Sequence, residues 1–84
     1  MEDVGWWQVT QALAAAVAER EDVTILAQPD LDGAIAIGSR AEVYLVPTAL
    51  GMSVECWRSS DADPYKIVLA GGLDEAVRVA VDEL

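Results

Sequence analysis

The side chains that could do chemistry in this chain are mostly carboxylates. Fifteen Asp and Glu face five Lys and Arg, histidine is absent, and Cys56 is the only cysteine. Without histidine the chain lacks the usual general base near neutral pH and the commonest zinc ligand. A lone cysteine can neither build a thiolate metal cage nor form an intramolecular disulfide. These residue types exclude His-dependent nucleophile triads and leave carboxylate chemistry as the enzymatic option.

Two short patterns resemble binding loops but are better interpreted as turns. Asp30 and Asp32 precede Gly33 like the start of a calcium loop, yet later positions that need oxygen ligands hold Ala34 and Ala41. A second pattern, 71–72, places two glycines before a predicted helix, as in some phosphate sites. Acidic residues occupy the first turn of that helix, where the phosphate would bind.

Other arrangements of these side chains give no site either. Asp61 and Asp63 could hold a cation only weakly, and a solvated loop is the simpler interpretation. Cys56 alternates with apolar neighbours, so we expect it in the core. Residue type allows a carboxylate pair for glycoside hydrolysis, but no pair stands out and so small a domain has little room for a cleft. We therefore predict no catalytic residue, no cofactor and no metal.

Length and composition predict one compact α+β domain spanning residues 1–84. The chain has 84 residues, 54% of them apolar, and a net charge of −10. This charge should repel bare nucleic acid and anionic lipid. The acidic first residues do not resemble a secretory signal, and no apolar run approaches the roughly 20 residues of a membrane span. We expect a cytoplasmic protein.

The hydrophobic periodicity predicts a helix, five strands and a second helix. The predicted helices cover 4–20 and 73–84, and the predicted strands cover 22–28, 34–38, 43–46, 52–57 and 65–70. The connections between strands are too short for crossover helices, so we expect a five-stranded antiparallel meander with both helices on one face. This order, α-β-β-β-β-β-α, resembles small chaperone-like α+β domains of secretion systems in topology alone.

Alternation along the strands predicts which side chains face the helices and which face away. We expect the inward set to be Val9, Leu13, Val17, Ile25, Ile35, Ile37, Val43, Leu45, Val54, Ile67, Leu69, Val77 and Val81. We expect an apolar face on the other side, formed by Leu26, Tyr44, Val46, Trp57 and Val68. Exposed apolar patches often mark an interface. The alternatives are that an edge or terminus of the chain folds over this one, or that some strands have the opposite face inward.

The meander also predicts that acidic residues collect at one end of the domain. This acidic pole would consist of Glu2, Asp3, Asp30, Asp32, Asp74 and Glu75, without Lys or Arg. Asp3 is also the predicted N-cap of the first helix. Acids are favoured near helix N-termini in any case, which is an alternative reason for part of this pole.

Together these features predict a small, acidic, non-enzymatic protein that acts by binding another protein. A basic partner would suit the acidic pole, and the protein would then resemble, in style and not in sequence, DNA-mimic inhibitors such as phage proteins that block host defence. An alternative is an acidic accessory or chaperone-like domain of a salt-adapted organism, forming a homodimer through its sheet. A small enzyme using carboxylates alone is the third alternative. We expect neither direct nucleic-acid binding nor membrane binding.

Overall fold

A computed structural model describes residues 5–58, 60 and 62–84 of the chain. The elements are α1 (Trp6–Ala16), β1 (Thr24–Gln28), β2 (Gly33–Ile37), β3 (Glu42–Thr48), β4 (Gly51–Trp57), β5 (Lys66–Ala70) and α2 (Leu73–Glu83), with a 3-10 turn at Pro29–Leu31. The five strands form one antiparallel sheet in chain order. The predicted α+β fold, a meander with both helices on one face, is confirmed.

Helix α1 is shorter than its periodicity predicts. Gly5 holds the N-cap position, and its N–H donates to Oε1 of Gln8 at 2.8 Å. Asp3, the predicted N-cap, lies outside the described residues. The helix ends at Ala16, because the Arg20 N–H bonds the Val17 carbonyl at 2.9 Å and turns the chain towards β1. Regular helical periodicity in the sequence therefore continues past the last helical residue.

The core forms between the helices and the inner face of the sheet, which is the face towards α1 and α2. In the central pair, Val43 lies opposite Cys56 and Leu45 opposite Val54, and all four side chains are fully buried. The helices contribute side chains from one stripe each. The buried core is Val9, Leu13, Val17, Ala34, Ala36, Ala41, Val43, Leu45, Met52, Val54, Cys56, Ala70, Ala76, Ala80 and Leu84.

Strand β2 turns its larger side chains away from the helices, so the predicted inward positions of Ile35 and Ile37 are wrong. Ala36 lies opposite the inward residue Val43, and Ile35 lies opposite Tyr44 on the other face. The isoleucines and the alanines of β2 are all apolar. Their alternation therefore predicts a strand but does not indicate which of its two faces is buried. The small alanines on the inner face give the buried stripe of α1 room to pack.

Strand β5 is inverted relative to the prediction for the same reason. Ile67 and Leu69 point away from the helices and are exposed, whereas they were predicted to be buried. Val68 lies opposite Val54 and packs against the core. The strand carries apolar residues on both faces, and only its register with β4 decides between them.

Two glycines permit turns and contacts that other residues would disrupt. Gly51 has a φ of 144°, which L side chains rarely adopt. A Cβ atom on Gly33 would collide with the Leu45 carbonyl oxygen of the neighbouring strand. These glycines therefore allow β4 to begin directly after its turn and β2 to approach β3 closely.

Two arginines from separate connections hold the C-terminal end of α2. Nη2 of Arg20 donates to the Leu84 carbonyl at 2.9 Å, and Nε of Arg40 donates to the same oxygen at 3.4 Å. Nη2 of Arg40 also reaches the Asp82 carbonyl at 3.4 Å. Carbonyls at the end of a helix have no partners within the helix, and positive charge there is favourable. This arginine clamp links the α1–β1 and β2–β3 connections to α2.

Truncating the central leucine tests the position of the core. We expect Leu45→Ala to lower the free energy of unfolding by about 2–5 kcal/mol, because it opens a cavity in a fully buried site. Leu50→Ala is the matched control, since Leu50 is 81% exposed in the β3–β4 turn and should change stability by less than about 0.5 kcal/mol. Denaturant unfolding followed by tryptophan fluorescence measures both. Equal effects would contradict the assignment of the inner face.

Candidate protein-binding face

The sheet face directed away from both helices is the candidate site, and we call it the outer face. The antiparallel register defines one row of outward side chains that crosses all five strands. In order from β1 to β5, this row consists of Leu26, Ile35, Tyr44, Glu55 and Ile67. The large apolar side chains of the outer face are Leu26, Ile35, Ile37, Tyr44, Val46, Trp57, Ile67 and Leu69.

The structure enlarges the apolar face that the sequence predicts. Leu26, Tyr44, Val46 and Trp57 lie on the outer face, but the predicted position of Val68 there is wrong because this side chain faces the helices. Sequence reasoning missed the isoleucines of β2 and the apolar pair of β5. Cross-strand register could have found them, because a residue opposite an outward side chain must share its face.

Exposure is greatest along the two edge strands of this face. Leu26 on β1 is 45% exposed, and Ile67 and Leu69 on β5 are 63% and 55% exposed. Neither described helix packs on this side of the sheet. Side chains of this size at these exposures form an apolar surface of the kind that partners cover.

Strand β4 divides the outer face with polar side chains. Its outward residues are Ser53 and Glu55, followed by Trp57. The Tyr44 and Trp57 rings lie 6.1 Å apart between centroids, at an interplanar angle of 55°. Apolar side chains of β1, β2 and β3 therefore lie on one side of a polar seam, and those of β5 lie on the other.

The indole of Trp57 contains a polar group without a partner. Its Nε1–H is buried and has no acceptor among the described residues. An unpaired buried donor costs about 1–3 kcal/mol in stability. Water or a carbonyl of a binding partner could supply the acceptor.

Both acidic side chains on the outer face are half-buried, and no basic side chain accompanies them. Glu42 lies opposite Trp57, and Glu55 lies opposite Tyr44, so the two carboxylates are diagonal neighbours across β3 and β4. Diagonal positions on one face are about 7–8 Å apart. The outer face is thus apolar, with a purely negative pair of side chains that extends from Glu55 to Glu42 at one end of β3.

The five basic residues of the chain are all placed elsewhere. Two form the arginine clamp. Arg58 lies 4.5 Å from the centroid of the Tyr65 ring, and Nζ of Lys66 pairs with Oε2 of Glu83 at 3.0 Å. Arg78 is exposed on α2, which packs on the inner face. No base is therefore positioned to neutralise the carboxylates of the outer face.

A shallow polar groove of about 280 Å³ lies near the end of α2. The Tyr65 hydroxyl donates to Oε1 of Glu83 at 2.9 Å. Burial, and then this hydrogen bond, raise the pKa of Tyr65 to about 12. Hydrogen bonds from Lys66 and Tyr65 lower the pKa of Glu83. A protonated phenol and an ionised carboxylate suit an ion-pair network better than proton transfer. The groove is lined by Arg40, Arg58, Tyr65, Asp82 and Glu83.

The described members of the predicted acidic pole form two pairs at the same end of the sheet. Asp30 and Asp32 lie in the β1–β2 connection, while Asp74 and Glu75 lie in the first turn of α2 beyond β5. Three strand spacings separate β2 from β5, which is roughly 14 Å. The Gly71 N–H donates to Oε2 of Glu75 at 2.6 Å, so this carboxylate has a local structural role. The other members of the predicted pole, Glu2 and Asp3, lie outside the described residues.

The remaining chemical candidates lie apart from one another. Cys56 is fully buried, and burial raises the pKa of its thiol, as expected for a core residue. Among the described residues no three His, Cys, Asp or Glu side chains are grouped to hold a metal ion. Asp63 is exposed in its loop, and Asp61 lies outside the described residues.

Comparisons with known protein families, with characterised proteins and with solved structures found no match to this chain. In the part of the chain that the structure describes, neither helix has the length and apolar character needed to cross a bilayer. Inferences about function therefore rest on the geometry and charge of the outer face.

Substituting three consecutive residues of β5 tests which of its side chains face the core. We expect Ile67→Thr and Leu69→Thr each to change the free energy of unfolding by less than about 1 kcal/mol, because threonine suits strands and both sites are exposed. Val68→Thr should cost about 1–3 kcal/mol, because it places a hydroxyl against the core. Denaturant unfolding of the three variants measures the pattern. A larger loss at positions 67 and 69 than at 68 would reverse our assignment.

Alkaline titration tests the contact between Tyr65 and Glu83. The folded state holds the Tyr65 proton to a pKa of about 12, above the ordinary value of about 10. Its contribution to stability is therefore complete below about pH 10 and is lost as the pH rises towards 12. Phenolate absorbance of a Tyr44→Phe variant, in which Tyr65 is the remaining tyrosine, should show the high pKa.

Two further variants separate this contact from other groups that titrate at high pH. Glu83→Gln should move the phenolate transition to lower pH, because it removes the charged acceptor and the negative field. Tyr65→Phe should reduce the loss of stability in this range. The pKa of Lys66 is also raised by Glu83, so some alkaline loss should persist in that variant. An unchanged pH profile in Tyr65→Phe would contradict the linkage.

Proposed function

We propose that this protein is a non-enzymatic binding domain whose outer face docks against another protein. The observation that supports the proposal is the set of large apolar side chains on the sheet face that neither helix covers. Leu26, Ile67 and Leu69 are each about half exposed. Tyr44 and Trp57 lie together near the middle strands and are the residue types that most often anchor interfaces.

The residue chemistry favours binding over catalysis. The chain contains no histidine, and its single thiol is buried. In the polar groove, the raised pKa of Tyr65 keeps its phenol protonated, and the lowered pKa of Glu83 keeps its carboxylate ionised. A carboxyl group that acts as a general acid needs a pKa raised towards neutrality, and the pKa of Glu83 in this groove is lowered instead. A carboxylate-dependent enzyme is therefore the weaker alternative.

The negative charge contributes a second feature of the proposed interaction. A net charge of −10 accelerates encounter with a basic partner and makes the association rate sensitive to salt. A DNA-mimic inhibitor is the narrower form of this proposal and would use Asp30, Asp32, Asp74 and Glu75 as its contact residues. Both pairs lie at one end of the sheet, so charge reversal is needed to distinguish steering from direct contact.

Affinity capture from the native host, followed by identification of the bound protein, tests the proposal. We expect the wild type to retain a partner that the double variant Ile67→Thr/Leu69→Thr loses, because that variant makes the exposed β5 surface polar. The matched control is Leu31→Thr/Leu50→Thr, since these leucines are 49% and 81% exposed but lie in the connecting turns. Equal capture by both double variants would contradict docking through the outer face.

Charge reversal distinguishes the role of the acidic pole in the same assay. Replacing Asp30, Asp32 and Asp74 with Lys should slow association and leave the dissociation rate nearly unchanged if the pole steers the partner. Faster dissociation would instead identify the pole as part of the contact surface. Glu75 is left intact in this variant because it accepts the Gly71 N–H.

A further inference from the structure

We infer that the outer face binds an amphipathic helix of a different protein, with two Lys or Arg one helical turn apart within its apolar surface. The inference rests on the proposed function and adds the chemistry of the partner. Three features of the outer face support it: its uncompensated carboxylates, their spacing, and the shape of the surface around them.

The carboxylates of the outer face require positive groups from whatever covers them. Glu42 and Glu55 are both half-buried in the sheet, and none of the five bases of the chain lies on this face. Removing a carboxylate from water is costly unless a donor or an opposite charge replaces the solvent. An apolar partner without bases would leave both charges buried and unpaired.

The same requirement argues against a second copy of this chain as the occupant. Face-to-face association of two copies would cover four carboxylates without a base on either face, and each copy has a net charge of −10. The bases of each copy belong to the arginine clamp, to the Tyr65 and Glu83 contacts or to α2, away from the outer face. A second copy therefore provides an apolar surface to cover the outer face, but it provides no positive charge for the carboxylates.

The spacing of the carboxylates fits one turn of a helix. Glu42 and Glu55 are diagonal neighbours on β3 and β4, a separation of about 7–8 Å. Side chains four residues apart on a helix lie about 6 Å apart along its axis. The flexible stems of Lys and Arg extend far enough to cover the difference. Two bases at positions i and i+4 can therefore meet both carboxylates at once.

The surface around the carboxylates suits a helix in shape. Five strands give a face roughly 19 Å wide, which exceeds the diameter of about 10–12 Å of one helix. The polar seam of β4 lies between the apolar side chains of β3 and those of β5, such as Val46 and Leu69. A helix lying over this seam would place one base over Glu55 on the seam and the other over Glu42 on the adjacent β3, with its apolar flanks on both sides. The inner face of the same sheet already packs two helices in a comparable way.

Two synthetic helical peptides of about 20 residues provide the probe. Both have the same Leu and Ala apolar stripe and contain no tryptophan; one carries two Lys at i and i+4 within the stripe and the other carries two Glu. Calorimetry gives the affinities, and amide chemical shifts of the labelled protein locate the contact. We expect the Lys peptide to bind at least about tenfold more tightly and to shift amides of β3, β4 and β5.

Matched charge variants separate the specific pairing from general attraction to an acidic protein. Glu42→Gln/Glu55→Gln should lower the affinity for the Lys peptide at least about tenfold. Glu19→Gln/Glu21→Gln removes the same charge from exposed residues outside the sheet and should change the affinity less than about twofold. Equal losses in the two variants would overturn the inference, because binding would then follow net charge alone.

The apolar variant distinguishes failure of this inference from failure of the proposed function. If Ile67→Thr/Leu69→Thr lowers the affinity for both peptides while Glu42→Gln/Glu55→Gln changes neither affinity, the outer face binds helices. In that case the inference that the helix carries two bases is overturned. If neither peptide binds the outer face, the helix inference is overturned. A concentration-dependent dimer at neutral pH and low salt, abolished by Ile67→Thr/Leu69→Thr, would also overturn it and identify a second copy as the occupant.

Discussion

The pairing of β3 with β4 determines the orientation of nearly every other side chain in the domain. These strands pair over seven residues, from Glu42 opposite Trp57 to Thr48 opposite Gly51. A slip of one residue would exchange the two faces of a strand and expose the fully buried central side chains. The register of β2 with β3 determines which side chains of β2 face the helices, and the register of β5 with β4 does the same for β5. The large cost of burying Glu55 in place of Val54 therefore stabilises one register throughout the sheet.

The size of the side chains explains why so much apolar surface is left outside. On the inner face, Ala34 and Ala36 of β2 meet α1. Ala70 of β5 lies on the side covered by α2, which contributes Ala76 and Ala80. Small side chains bring the helical layer close to the sheet and fill that space without the larger isoleucines. The bulky residues of β2 and β5 then occupy the outer face, where a single layer of helices cannot reach them. The domain is thus an α+β layer pair whose second sheet face carries large apolar side chains beside a few polar ones.

Much of the fold could be predicted from the sequence, because its elements have strong periodicity and short connections. The inner positions of β3 and β4 could be predicted as well, since polar residues such as Ser53 and Glu55 mark the opposite side. Strand β2 offers no such mark, because Ile35 alternates with alanine. In β5 the mark indicates the wrong face, because Lys66 lies on the inner side with Val68 and pairs with Glu83 of α2. Half of the candidate face was consequently missed. The spacing of the acidic pairs also depends on sheet width, a tertiary quantity that local patterns do not contain.

The arginine clamp has a consequence for how the domain opens. Arg20 follows α1 and Arg40 joins β2 to β3, yet both donate to the carbonyl of Leu84 at the end of α2. Fraying of the last turn of α2 therefore releases guanidinium groups from two distant connections at once. Helix ends usually fluctuate independently of the rest of a protein, with little protection of their amides from solvent exchange. Here the end of α2 shares a cooperative unit with the connections beside it, so its amides should exchange through larger and rarer openings than those of an unsecured helix end.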